Sequence, residues 1–140
     1  MTIAIGDKLW IKGDWDTRPV PAGRLAIRIH PNMHVEGAGY NPPTKKLLEC
    51  LETYVKAGDV VLDVGAGSGI LAIGALKLGA SKAVATDTSQ VACDAMAINA
   101  KANGVEATLL VLKATYPDVP GQTFDVVVSN IGVIPSKDYL

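Results

Sequence analysis

The residues best placed to do chemistry lie in one run, Asp63-Val64-Gly65-Ala66-Gly67-Ser68-Gly69. Glycines at alternate positions let the backbone turn tightly and approach a ligand closely, because no Cβ stands in the way. A dinucleotide-binding loop spaces its glycines as G-x-G-x-x-G, so that the third makes room for a helix against the strand. Here the third glycine comes one position early, which argues against NAD. Asp63, two positions before the first glycine, would repel a nearby pyrophosphate and suits a ligand with positive charge. Asp87 follows Gly65 by 22 residues, where an acidic side chain can chelate ribose hydroxyls. It supports a nucleoside without choosing the cofactor. Ser68 can begin the following helix, and the backbone N–H groups freed there can receive a carboxylate.

Such a loop needs a strand before it and a helix after it. Val60 to Val64 reads as a buried strand, about Ser68 to Leu78 as a helix ended by Gly79, and Lys82 to Thr86 as a second strand. Ser89 is the expected N-cap of the next helix and Gly104 its stop, with Val91, Ala95, Ile98 and Ala102 expected on the buried stripe. Thr108 to Leu112 and Phe124 to Ser129 supply a third and a fourth strand. Before Thr44 turn-formers dominate, and only Leu9 to Ile11 and Leu25 to Ile29 read as short strands. From Thr44 a helical stripe runs through Leu47, Leu48, Leu51, Tyr54 and Val55 until Gly58 stops it. The chain thus divides into an extended N-terminal segment, 1–43, and a ligand-binding core, 44–140. Alternating strands and helices imply an α/β fold with a parallel sheet, right-handed crossovers and a site above the strand C-termini.

Composition agrees with this. A chain of 140 residues, 49% hydrophobic and 19% charged, suits a single domain. Aromatics are only 5%, and the small aliphatic residues that replace them let helices lie close on a sheet. Fourteen acidic against 13 basic side chains give a net charge of −1 without a basic block, which speaks against a nucleic-acid partner. No apolar run approaches the ~20 residues of a membrane span, and no cationic stretch precedes one at the N-terminus, so a cytoplasmic protein is expected. Cys50 and Cys93 are too few and too distant for a disulfide framework or a metal clip, so no metal is expected.

A nucleoside with a cationic end and no phosphate describes S-adenosylmethionine. The D-x-G-x-G-x-G pattern after a strand resembles the first motif of the Rossmann-like, class I SAM-dependent methyltransferases. The stretch from Arg24 to Met33, with Gly37-Ala38-Gly39-Tyr40-Asn41-Pro42-Pro43-Thr44, is similar to the PrmA-type ribosomal protein methyltransferases, whose pattern is close to I-R-L-D-P-G-M-A-F-G-T-G-x-H-x-T-T. The match continues from Gly65 to Ala80, and Ser129-Asn130-Ile131 resembles that family's A-N-I. Trp10, Trp15 and Pro21 also fall where the family places Trp and Pro. Glu36, Ala38, Asn41 and Pro43 depart from the family's Phe, Thr, His and Thr, which keeps the turn but changes the lining of the pocket. His30 stands at the family's Asp position. Both it and His34 are read as exposed or locally bonded rather than catalytic.

The resemblance implies a three-layer fold with strand order 3-2-1-4, apparently truncated after the fourth strand, because the chain ends 10 residues after Asn130. It also implies cofactor binding by Asp63, Gly65, Ala66, Gly67, Gly69, Asp87 and Thr88, with Gly39, Thr44 and Asn130. Asn130 would in addition position the methyl acceptor. The implied reaction is in-line transfer to a protein amine, or to a small-molecule acceptor, in a chain without the family's N-terminal substrate domain. Self-association through the fourth strand's apolar edge is a further expectation. The alternatives are a SAM-binding or interaction module without turnover and, least favoured, an NAD-dependent oxidoreductase domain.

Overall fold

Every described strand carries Val or Ile, and each helix is rich in Leu, in Ala or in both. The computed structural model describes residues 2–30 and 42–130. Three short strands come first: β1 (Thr2–Ile5), β2 (Leu9–Gly13) and β3 (Leu25–Ile29). Then follow α1 (Pro42–Tyr54), β4 (Val60–Val64), α2 (Ile70–Lys77), β5 (Lys82–Asp87), α3 (Gln90–Ala102), β6 (Leu109–Lys113) and β7 (Val126–Ser129). Two sheets result, β1-β2-β3 and β6-β5-β4-β7. The second is parallel throughout, and its order is the expected 3-2-1-4 with the Rossmann-like topology.

Register decides which strand residues meet the helices. Val61 pairs with Ala83 and Val126, Asp63 with Ala85 and Val128, and Ala83 with Leu109. Paired residues share a face. Val61, Ala83, Ala85, Leu109 and Val128 accordingly join one apolar cluster with Leu48 and Leu51 of α1, Ile70 and Ile73 of α2, and Met96 and Ala100 of α3. Ile5, Leu9, Ile11, Ile27 and Ile29 belong to the same cluster, so the first sheet closes onto the core of the second. On the opposite face Leu110 and Val127 are exposed.

Glu52 of α1 clasps the β1–β2 turn. Its two carboxylate oxygens accept the backbone N–H groups of Asp7, Lys8 and Leu9 at 2.9–3.1 Å. That contact helps to explain β1, which the sequence reading missed: its pairing with β2 is steered from a residue far along the chain.

Three other expectations are corrected. On α3, Val91 and Ile98 are exposed and Ala102 only half-buried, whereas Ala92, Cys93, Ala95, Met96, Asn99 and Ala100 face inward. The stripe is displaced because a polar residue, Asn99, takes a core position that an apolar count passes over. Tyr54, the last residue of α1, is also exposed while Val55 beyond it is buried. Finally, α2 begins at Ile70 rather than Ser68, with Gly69 as its N-cap. Ser89 does cap α3, its Oγ accepting the Ala92 N–H at 3.3 Å. Among the described residues no helix is long and apolar enough to cross a membrane.

Candidate active site

The glycine run leaves the C-terminal end of β4, one of the two inner strands of the parallel sheet. Gly65, Gly67 and Gly69 have φ of 68°, 57° and 81°, a left-handed region that side-chain-bearing residues seldom occupy. The alternate spacing of the glycines follows from this backbone path. At Gly69 a Cβ would also come within 2.9 Å of Met96 Cγ, so the start of α2 lies hard against α3.

The end of β5 holds the loop in place. The Ala66 N–H donates to the Thr86 carbonyl at 2.9 Å, and the Gly67 N–H to Asp87 Oδ2 at 3.0 Å. Asp87 Oδ1 accepts from the Ser89 N–H at 3.0 Å. Asp87 therefore organises the loop before any ligand arrives, and each oxygen keeps a second lone pair able to accept another donor. Thr88, beside it, is exposed.

Asp63 sits beneath the loop with no solvent exposure. The Ala72 N–H donates to its Oδ2 at 3.2 Å. Among the described residues its Oδ1 is buried without a hydrogen-bond partner, as are the hydroxyls of Ser68 and Thr86. Burial pushes the carboxyl up to about 7; the Ala72 amide opposes the rise and the negative charge of Asp87 adds to it. A buried carboxyl that titrates near neutrality is the kind of group binding sites create.

Above Asp63 lies a small chamber of about 20 Å³, lined by Thr44, Asp63, Gly65, Ala66, Ile70, Leu71 and Asn130. It has room for about one water molecule. Thr44 begins the buried face of α1 and Asn130 follows β7, yet the Asn130 Nδ2 donates to Thr44 Oγ1 at 2.8 Å. Residues 86 positions apart in the chain thus close one wall of the chamber.

Of the residues singled out in the sequence, Thr44, Asp63, Gly65, Ala66 and Asn130 meet in this chamber. Gly67 and Asp87 are bonded to each other beside it, and Gly69 opens α2. Gly39 lies outside the described residues, as do His34, Glu36, Ala38 and Asn41. His30 is half-buried, and its backbone N–H donates to Asn99 Oδ1. Asn99 and Asn103 were not anticipated as parts of the site's support. Their spacing with Ala92 and Met96, one to three helical turns apart, was the available signal.

Known proteins are similar to this chain over nearly all of its length. The family model described as ribosomal protein L11 methyltransferase (PrmA) matches residues 2–134. The ribosomal protein L11 methyltransferase of Ralstonia pickettii is 41% identical over 135 residues, covering 96% of this chain and 43% of its own length. The chain therefore spans less than half of that relative. The crystal structure of ribosomal protein L11 methylase from Lactobacillus delbrueckii subsp. bulgaricus superposes with a TM-score of 0.78 at 34% identity, covering 93% of this chain and 66% of the other. The Trypanosoma brucei PRMT1 enzyme–prozyme complex with AdoHcy is similar over 60% of this chain and 27% of its own, at 29% identity and a TM-score of 0.55.

Proposed function

We propose, since the chain belongs to the PrmA family of ribosomal protein L11 methyltransferases, that it binds S-adenosylmethionine at the glycine loop and serves methyl transfer to a protein amine. Residues 44–140 form the cofactor-binding core in this reading, and residues 1–43 the segment that leads into it. The observation that carries it is the chamber at the ends of β4 and β7, which Asp63 lines together with Thr44 and Asn130 and where, among the described residues, Asp63 Oδ1 has no hydrogen-bond partner. The residues fit the cofactor: a buried carboxylate oxygen without a partner among the described residues is suited to an ammonium group, and three left-handed glycines let the loop backbone come close to a ligand.

When bound, S-adenosylmethionine supplies a methyl group on a positively charged sulfur. The chain's part is positioning and exclusion of water, the main sources of rate in an in-line displacement. Asp87 holds the ribose hydroxyls with the lone pairs its amide contacts leave available. Asp63, ionised, faces the ammonium. Asn130 donates through Nδ2 to Thr44, which leaves its Oδ1 to accept an N–H of the acceptor and so aim that nitrogen's lone pair. Thr88 and Gly39 complete the expected cofactor shell. Like its relatives, the chain is proposed to act on a ribosomal protein.

Calorimetric titration with S-adenosylmethionine, S-adenosylhomocysteine and NAD tests the assignment. Saturable binding of the two adenosyl ligands without NAD binding supports it, whereas NAD binding with no response to either overturns it. A methyl-transfer assay with ribosomal protein L11 then separates an enzyme from a binding module.

A further inference from the structure

A polar side chain on the buried face of a helix is costly unless its hydrogen bonds are made. Asn99 and Asn103, one turn apart on the α3 side of the core, are both buried, and Asn99 has no exposed surface at all. Asn103 serves β3: its Oδ1 accepts the Arg28 N–H at 2.8 Å, and its Nδ2 donates to the Arg28 carbonyl at 2.8 Å and the Asn99 carbonyl at 2.7 Å. Asn99 differs, because its two ends reach different parts of the chain. Its Oδ1 accepts the His30 N–H at 3.0 Å, just past β3, and its Nδ2 donates to the Ser68 carbonyl at 2.9 Å, inside the glycine loop.

β3 is an edge strand of the first sheet, so the two amides extend its ladder on the side where, among the described residues, no further strand is paired. Packing alone would be served by an apolar side chain at 99. What an amide adds is one rigid planar group joining the loop at Ser68 to the chain at His30, from which residues 31–41 lead to Thr44 in the chamber wall. Nothing else in the proposed site uses Asn99.

We infer that Asn99 is a positioning residue that couples the glycine loop to the N-terminal segment, so that an adenosyl ligand seated in the loop also fixes the backbone at His30. This rests on the adenosyl reading of the loop. Asn103, which contacts β3 and not the loop, carries no such coupling.

Amide hydrogen exchange on the full chain, with and without saturating S-adenosylhomocysteine, tests the inference. In the parent protein the ligand should slow exchange across residues 65–69 and also at His30, the latter by about fivefold or more, the lower range of ordinary coupling between sites. Asn99→Asp keeps an acceptor for His30 but removes the donor to Ser68. It should retain ligand-dependent protection of 65–69 and lose it at His30. Asn103→Ser should lower protection at Arg28 while His30 still responds to ligand. Protection of 65–69 with no response at His30 in the parent overturns the coupling alone, whether or not the variants fold. A His30 response that survives in Asn99→Asp does the same. No ligand binding and no protection of 65–69 removes the adenosyl reading and the coupling with it.

Discussion

Replacing Asp63 by asparagine should raise the stability of the free protein and lower its affinity for a cationic ligand, and both effects should depend on pH. The carboxyl is lifted from 3.8 to about 7, chiefly by burial. At about 1.4 kcal/mol per pH unit, that displacement is on the order of 4 kcal/mol. Between roughly pH 4 and pH 7 the folded protein keeps a proton the unfolded chain has lost, so stability falls as pH rises through this window and levels off above it. The asparagine side chain would keep an oxygen for the Ala72 N–H and has nothing to ionise. Less than half of the penalty is present at pH 5, so the variant's advantage should widen by about 2–3 kcal/mol between pH 5 and pH 8. Affinity should move the other way. An ammonium favours the ionised carboxyl, so the parent's Kd for S-adenosylhomocysteine should fall by up to about tenfold per unit as pH rises toward 7, while the Kd of Asp63→Asn stays weak and nearly flat. Urea unfolding without ligand and calorimetry with it, each from pH 5 to pH 8, measure the two slopes. A constant stability gap, or a variant that binds as tightly as the parent at pH 8, would refute the reasoning.

Four further outcomes are expected. Asp87→Ala should weaken binding of S-adenosylhomocysteine by about 10–150-fold, equivalent to about 1.5–3 kcal/mol, and lower Tm because the Gly67 and Ser89 amides lose their acceptor; an unchanged Kd in calorimetry would remove Asp87 from the ribose. Gly69→Ala should destabilise by about 1–3 kcal/mol in urea titration, since φ is 81° and the new Cβ meets Met96. Asn130→Ala should lower methyl transfer about tenfold or more, a larger factor than its loss of adenosyl affinity, and equal losses in both would leave Asn130 with a cofactor-binding role alone. The β7 edge should drive self-association: Val127, 63% exposed, is among the residues lining an apolar groove of about 330 Å³ between α1 and β7. Light scattering should show a concentration-dependent mass that Val127→Lys reduces, and a parent that stays monomeric throughout would count against that edge.

The parts of this molecule that were legible in the sequence are those whose causes are local. Gly65, Gly67 and Gly69 announce a left-handed loop by themselves, and Ser89 announces a helix start, because backbone freedom and capping act within a few residues. The parallel sheet was legible too, since buried strands alternating with helices have few ways to pair. What stayed hidden depends on partners distant in the chain. β1 is steered by the Glu52 clasp, and the inward face of α3 by amide contacts with Arg28, His30 and Ser68.

Asp63 shows the same division inside one residue. Its spacing from the glycines marks it as a site residue, but its behaviour is set by the surroundings the fold assembles: no solvent, one amide from Ala72, and the charge of Asp87 nearby. Those surroundings make the ionised form costly in the free protein. Among the described residues they also leave Oδ1 without a partner, so a ligand that brings a positive charge would recover part of what folding gave up. In the proposed reading, the feature that weakens the free protein is therefore also the one that favours a cationic ligand over an anionic one, and it explains why Asp63 can be conspicuous in spacing yet unreadable in energy from the chain alone.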